Sequence, residues 1–223
     1  MKRVRGHWQL LVILAVVFAL WQTPVIVPLK LLIVFLHELS HAAMTLATGG
    51  EVLSLEVSAR QGGAVWSAGG NRFLILSAGY LGSLLIGVGL LLAALKTRAD
   101  RAVMAGLGVV MLAVAVLYVR SAFALAFTVG TGLAMVAAAR FLPRAANDLA
   151  LRVIGLTSMA YVPYDIFSDT IARSGLQSDA RMLAEEFGGA TVMWGALWLV
   201  VSVVVIWWCL RRGLGAESNL RWR

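Results

Sequence analysis

Seven long apolar runs, at residues 8–27, 29–48, 73–95, 102–119, 121–139, 149–171 and 190–210, alternate with short polar connectors along the chain. Each is close to the roughly 20 residues a helix needs to cross a bilayer. The pattern changes once, at residues 51–70. There Val52, Leu53, Leu55 and Val57 interleave with Ser54, Glu56 and Ser58, close to the period of two that marks a strand. Gly62-Gly63 can turn that strand back into Ala64-Val65-Trp66-Ser67. The chain is therefore expected to be an all-α polytopic membrane protein with six to seven membrane helices and a short β-hairpin after the second.

Punctuation supports these limits. The first run follows a basic flank and lacks a good small-residue cleavage site, so it reads as a retained anchor helix. Pro24 and Pro28 separate it from the second run, Pro28 suiting the first turn of a new helix. Gly49-Gly50 stops that helix. In the third run Gly79, Ser83 and Gly87 recur every four residues, a stripe that lets another helix approach closely. The run at 149–171 is weakened by Asp165 and Asp169, and residues 173–189 form a polar connector. A basic tail ends at Arg221-Trp222-Arg223.

Composition agrees. Of 223 residues, 61% are hydrophobic and 13% charged, far from the roughly 45–50% and 25% of an ordinary soluble domain. One integral-membrane domain over residues 1–223 accounts for the length. The net charge of +8 lies at the two ends and between apolar runs, which suits contact with anionic lipid headgroups of the bilayer and offers no solvated patch for nucleic acid. The protein is expected in the cell (plasma) membrane as a multi-pass protein. The positive-inside rule places the amino terminus in the cytoplasm, and it favours the basic tail there too. Seven crossings would put that tail outside. Cys209, the single cysteine, excludes an internal disulfide and any cysteine-cluster metal site.

His37-Glu38-Leu39-Ser40-His41 stands out inside the second run. Residues four apart share a helix face, so the two imidazoles can reach one metal ion. Glu38 sits where a carboxylate can take a proton from a metal-activated water. Hydrocarbon penalises ionisable groups, so three of them in five membrane residues need a chemical reason.

Catalytic zinc usually has three protein ligands. His7, the third histidine, lies in the amino-terminal flank and is a poor choice. Glu51 and Glu56 lie on the expected strand, too near in sequence. Asp179, Glu185 and Glu186 fall in the polar connector, where a solvated surface position is the default. Asp165 is the first choice, its depth in run six matching that of the histidines in run two, with Asp169, one turn on, as the alternative.

These residues resemble the site-2 protease family of intramembrane zinc metallopeptidases, over 29–87 and 149–184. His37, Glu38 and His41 match its first motif. Pro163-Tyr164-Asp165-Ile166 takes the place of its L-D-G signature, with Tyr for Leu and Ile for Gly. The glycine-rich 62–70 stretch, Ala78-Gly79-Tyr80-Leu81-Gly82-Ser83, Tyr164 to Asp169, and Ser178-Asp179-Ala180 resemble the small M50B-like branch more narrowly. The resemblance implies one zinc ion held by His37, His41 and Asp165, Glu38 as general base, and hydrolysis of a membrane-protein substrate in or beside its transmembrane helix. Such a helix must unwind before cleavage. A strand edge of the hairpin, with Gly63, Val65 and Trp66 as contacts, is a place to hold it. Two other classes use the same residues: a non-catalytic scaffold for membrane helices and a metal transporter. An intact Glu38 argues against the first, and polar groups gathered at one depth argue against the second.

Overall fold

The computed structural model describes residues 2–172, 177–215 and 217–220, and side chains from residue 6 onward. Part of the polar connector (173–176) and the last three residues of the basic tail lie outside the described residues.

Among the described residues the chain forms α1 (Lys2–Ala19), α2 (Val27–Ala47), β1 (Glu51–Val57), β2 (Gly63–Ala68), α3 (Arg72–Lys96), α4 (Asp100–Tyr118), α5 (Ala122–Phe141), α6 (Arg144–Phe167), α7 (Asp179–Phe187) and α8 (Thr191–Gly213). Among the described residues five helical stretches are long and apolar enough to cross a membrane: Pro24–Ala47, Arg72–Lys96, Asp100–Tyr118, Ala122–Phe141 and Thr191–Gly213. Two expected runs differ. The first helix stops at Ala19, and Pro24–Ile26 forms a separate 3-10 turn before α2. The sixth begins earlier than hydropathy indicates, at Arg144, because Asn147, Asp148 and Arg152 are taken into the body of the protein; Asn147 and Arg152 are buried.

Small residues set how closely the helices meet. A Cβ on Gly87 of α3 would stand 3.0 Å from the Gly155 carbonyl oxygen of α6, and one on Gly155 would stand 2.7 Å from that of Gly87. Ser158 Oγ donates to the Ser83 carbonyl at 2.8 Å in the same crossing. Gly108 and Gly132 make the equivalent close approach between α4 and α5. The glycine stripe thus serves helix packing at Gly87, as expected.

The hairpin folds back along α2 and also touches α4 and α5. Strict alternation would put Val52 on the face opposite Leu55 and Val57. The ladder register shifts between Val52 and Ser54, leaving Leu53 exposed and turning Val52, Leu55 and Val57 all inward. The turn places Gln61 at φ +63°, and the Ser58 amide donates to the Gly62 carbonyl at 2.8 Å. Glu56 fastens β1 to the α4–α5 connection: its carboxylate accepts from the Arg120 and Ser121 amides, each at 3.0 Å, and from the Ser121 hydroxyl.

The chain ends lie together. The Ser218 amide donates to the Gly6 carbonyl at 2.8 Å, and His7 Nδ1 stands 2.7 Å from Ser218 Oγ. Buried Arg152 of α6 donates to the Ser218 carbonyl and is itself paired with Asp148. His7 is thus part of a clasp between the termini.

Candidate active site

His37 and His41 project from one face of α2 toward α3 and α7. The His41 Nδ1–H donates to the Ile75 carbonyl at 2.7 Å, which fixes the tautomer and leaves Nε2 directed at His37 Nε2, 3.0 Å away. The edge of Tyr80 packs on the His37 ring at 5.1 Å between centroids. Gly79 completes the support by omission: a Cβ there would fall on the Nε2 atoms of both histidines. Gly79, placed by its spacing in the packing stripe, therefore leaves the space in front of the imidazoles open.

The carboxylate that meets the histidines is Asp179. Its Oδ2 lies 3.1 Å from His37 Nε2 and 3.2 Å from His41 Nε2. Among the described residues, His37, His41 and Asp179 form a group of three such side chains whose ligand atoms lie within 4.8 Å of one another. Ligand atoms about 2.0–2.1 Å from a tetrahedral zinc stand about 3.3 Å apart, so the spacing and the nitrogen–nitrogen–oxygen donor set fit that ion.

Asp179 departs from its expected position on a solvated connector because that connector contains a short buried helix. Ser178 caps α7, its Oγ accepting from the Arg181 amide at 3.3 Å. Ala180 and Leu183, three apart, are fully buried against the body of the protein. Arg72 pairs with Glu186 at 3.0 Å, and Phe73 meets Phe187 edge-on at 5.6 Å. Together these contacts bring the first turn of α7 over the histidines. The signal in the sequence was the Ser178 cap followed by apolar residues at 180, 183 and 187.

Asp165 and Asp169, the expected third ligands, line the same cavity without joining that three-residue group. They do not share a regular helical turn, because α6 ends at Phe167 and Ser168–Ala172 is a π-helical turn. Asp169 accepts the Tyr80 hydroxyl at 2.7 Å.

Glu38 is buried, at 6% exposure, on the neighbouring face of α2. It packs against the start of β2, where a Cβ on Gly63 would stand 2.5 Å from Glu38 Oε1. A cavity of about 540 Å³ opens in front of His37, Glu38, His41 and Asp179. Gly63, Val65 and Trp66 line it from β2, and Tyr80 from α3.

The family model for peptidase M50B-like proteins matches residues 10–209. The chain belongs to the peptidase M50B-like family. Membership and five apolar helices make it an integral membrane protein of the site-2-protease type of metallopeptidase family. The match includes every element of this site, α2, α3, the hairpin, α6 and α7. No curated protein and no solved structure is matched.

Proposed function

We propose that this M50B-like protein is an intramembrane zinc metalloprotease, a single integral-membrane domain that hydrolyses peptide bonds in or beside membrane-spanning segments. His37, His41 and Asp179 hold one zinc ion, Asp179 standing where Asp165 was expected. The observation that carries this reading is the meeting of two imidazole nitrogens and a carboxylate oxygen in a cavity that also holds a buried carboxylate, Glu38.

Zinc, when bound, supplies Lewis acidity toward the scissile carbonyl and the attacking water. Glu38 takes the proton from that water and returns it to the leaving amine. The His41–Ile75 hydrogen bond and the Tyr80 edge hold the imidazoles in place. β2 pairs with β1 along one edge, while Gly63 to Ser67 line the cavity. An unwound substrate segment adds to β2 as a further strand, its backbone groups satisfied within the membrane.

With α6 crossing beside the five apolar stretches, six crossings account for the charge pattern better than seven. The apolar part of α1, Gly6–Ala19, reaches only about 20 Å at roughly 1.5 Å per residue, short of a bilayer core of about 30 Å. Gly6 and Ser218, joined by a backbone hydrogen bond, belong on one side of the membrane, which suits a cytoplasmic placing of both flanks in a plasma-membrane protein.

Reconstituted protein given zinc and transmembrane peptides should cut them, and the Glu38→Gln protein should not. Equal cleavage by both would sink the assignment.

A further inference from the structure

A second cavity, of about 370 Å³, adjoins the first; Gln61 of the hairpin turn, Tyr161 and Asp165 line both. Lys30 and Arg60 line this second space. Lys30, Val34, His37 and His41 follow the spacing of one helix face, so Lys30 lies two turns below His37 on the stripe that carries the metal-binding histidines. Its ammonium rests 4.5 Å from the centre of the Trp21 ring, and Trp21 packs on Tyr161 and Tyr164 at 5.7 and 6.3 Å. Among the described residues neither Lys30 nor Arg60 forms a hydrogen bond or an ion pair, and the Trp21 ring is what holds the Lys30 ammonium. A half-buried lysine held on an aromatic ring without a carboxylate partner is a site prepared for an anion.

Building on the protease reading above, we infer that this second cavity is a specificity subsite for an acidic side chain of the substrate. Two helical turns span about 11 Å. A substrate extended along β2 advances about 3.3 Å per residue. The acidic side chain therefore lies about three residues from the bond that is cut, on the flank passing the hairpin turn. Gln61 at that turn makes the hairpin the guide from one cavity to the other. A lipid phosphate carries similar charge, but the shared lining and the common stripe tie the site to a chain already in the catalytic cavity.

The test uses the full zinc-loaded chain in vesicles of neutral lipid, with transmembrane peptides carrying Asp, Asn or Lys at positions two to four residues on either side of the cut bond. Asp peptides should exceed Lys peptides about tenfold in kcat/KM, the change expected of one half-buried ion pair. Lys30→Met should remove the preference, Lys30→Glu should reverse it, and Arg60→Glu should weaken it, all with zinc content unchanged. Binding of the same peptides to the Glu38→Gln protein, followed by fluorescence, should show the same order and does not depend on turnover. Equal cleavage and binding of Asp and Lys peptides by the wild-type chain would overturn the inference while leaving the protease reading standing. So would a preference that survives Lys30→Glu, or a Lys30-dependent response to anionic lipid alone. Absence of all cleavage, with the binding preference intact, would count against the protease reading and for the subsite.

Discussion

The Asp179 carboxylate stands 3.1 Å from His37 Nε2, although 142 residues separate the two in sequence. Neither residue could hold a metal where it is without its helix. His37 is fixed by the packing of α2 on α3, and Asp179 by the capped first turn of α7.

Removing that carboxylate should therefore cost the metal. Asp179→Ala should lower zinc affinity by at least about tenfold to a hundredfold, the range seen for weakened metal shells, while Asp165→Asn should leave zinc content near one ion per chain. Metal analysis of purified variants in detergent decides it. If Asp165→Asn loses zinc and Asp179→Ala keeps it, the third ligand belongs to α6.

Glu38→Gln keeps the shape of the buried side chain and removes its basicity. Zinc content should be unchanged and cleavage should fall by about 10²–10⁴-fold, the usual contribution of a general base. Full activity in this variant would assign the proton transfer to another group.

Gly79→Ala places a methyl group on the two imidazole nitrogens. The variant should fold, since Gly79 lies on an α-helix without unusual backbone angles, but should bind zinc poorly. Circular dichroism with metal analysis separates the two effects. Normal zinc binding would mean that the space in front of the histidines is wider than the structure has it.

Glu56→Ala should loosen the hairpin from the α4–α5 connection. Loss of hydrogen bonds to a charged acceptor predicts about 1–3 kcal/mol of destabilisation, read from thermal unfolding in detergent. Limited proteolysis should cut first near the 58–62 turn. An unchanged melting temperature would show that Val52, Leu55 and Val57 alone hold the hairpin.

The sequence by itself determined the membrane class, the hairpin after the second helix, and the pair of histidines with their glutamate. All three rest on local spacing: continuous apolar runs, a period near two, and residues four apart on one helix. It ranked Asp165 above Asp179 as the partner carboxylate, because hydropathy judges each by the company it keeps in sequence, whereas Asp179 is the acid that stands beside the histidines. Only the tertiary structure decided which acid meets the histidines, since that depends on α7 docking against α3 and α8 through Leu183 and Phe187. The position of Lys30 beside a second cavity was likewise beyond reach of local pattern. Its stripe with His37 was visible in the spacing, but Trp21, Arg60 and Tyr161 come to it from three other parts of the chain, and no periodicity records a meeting of that kind.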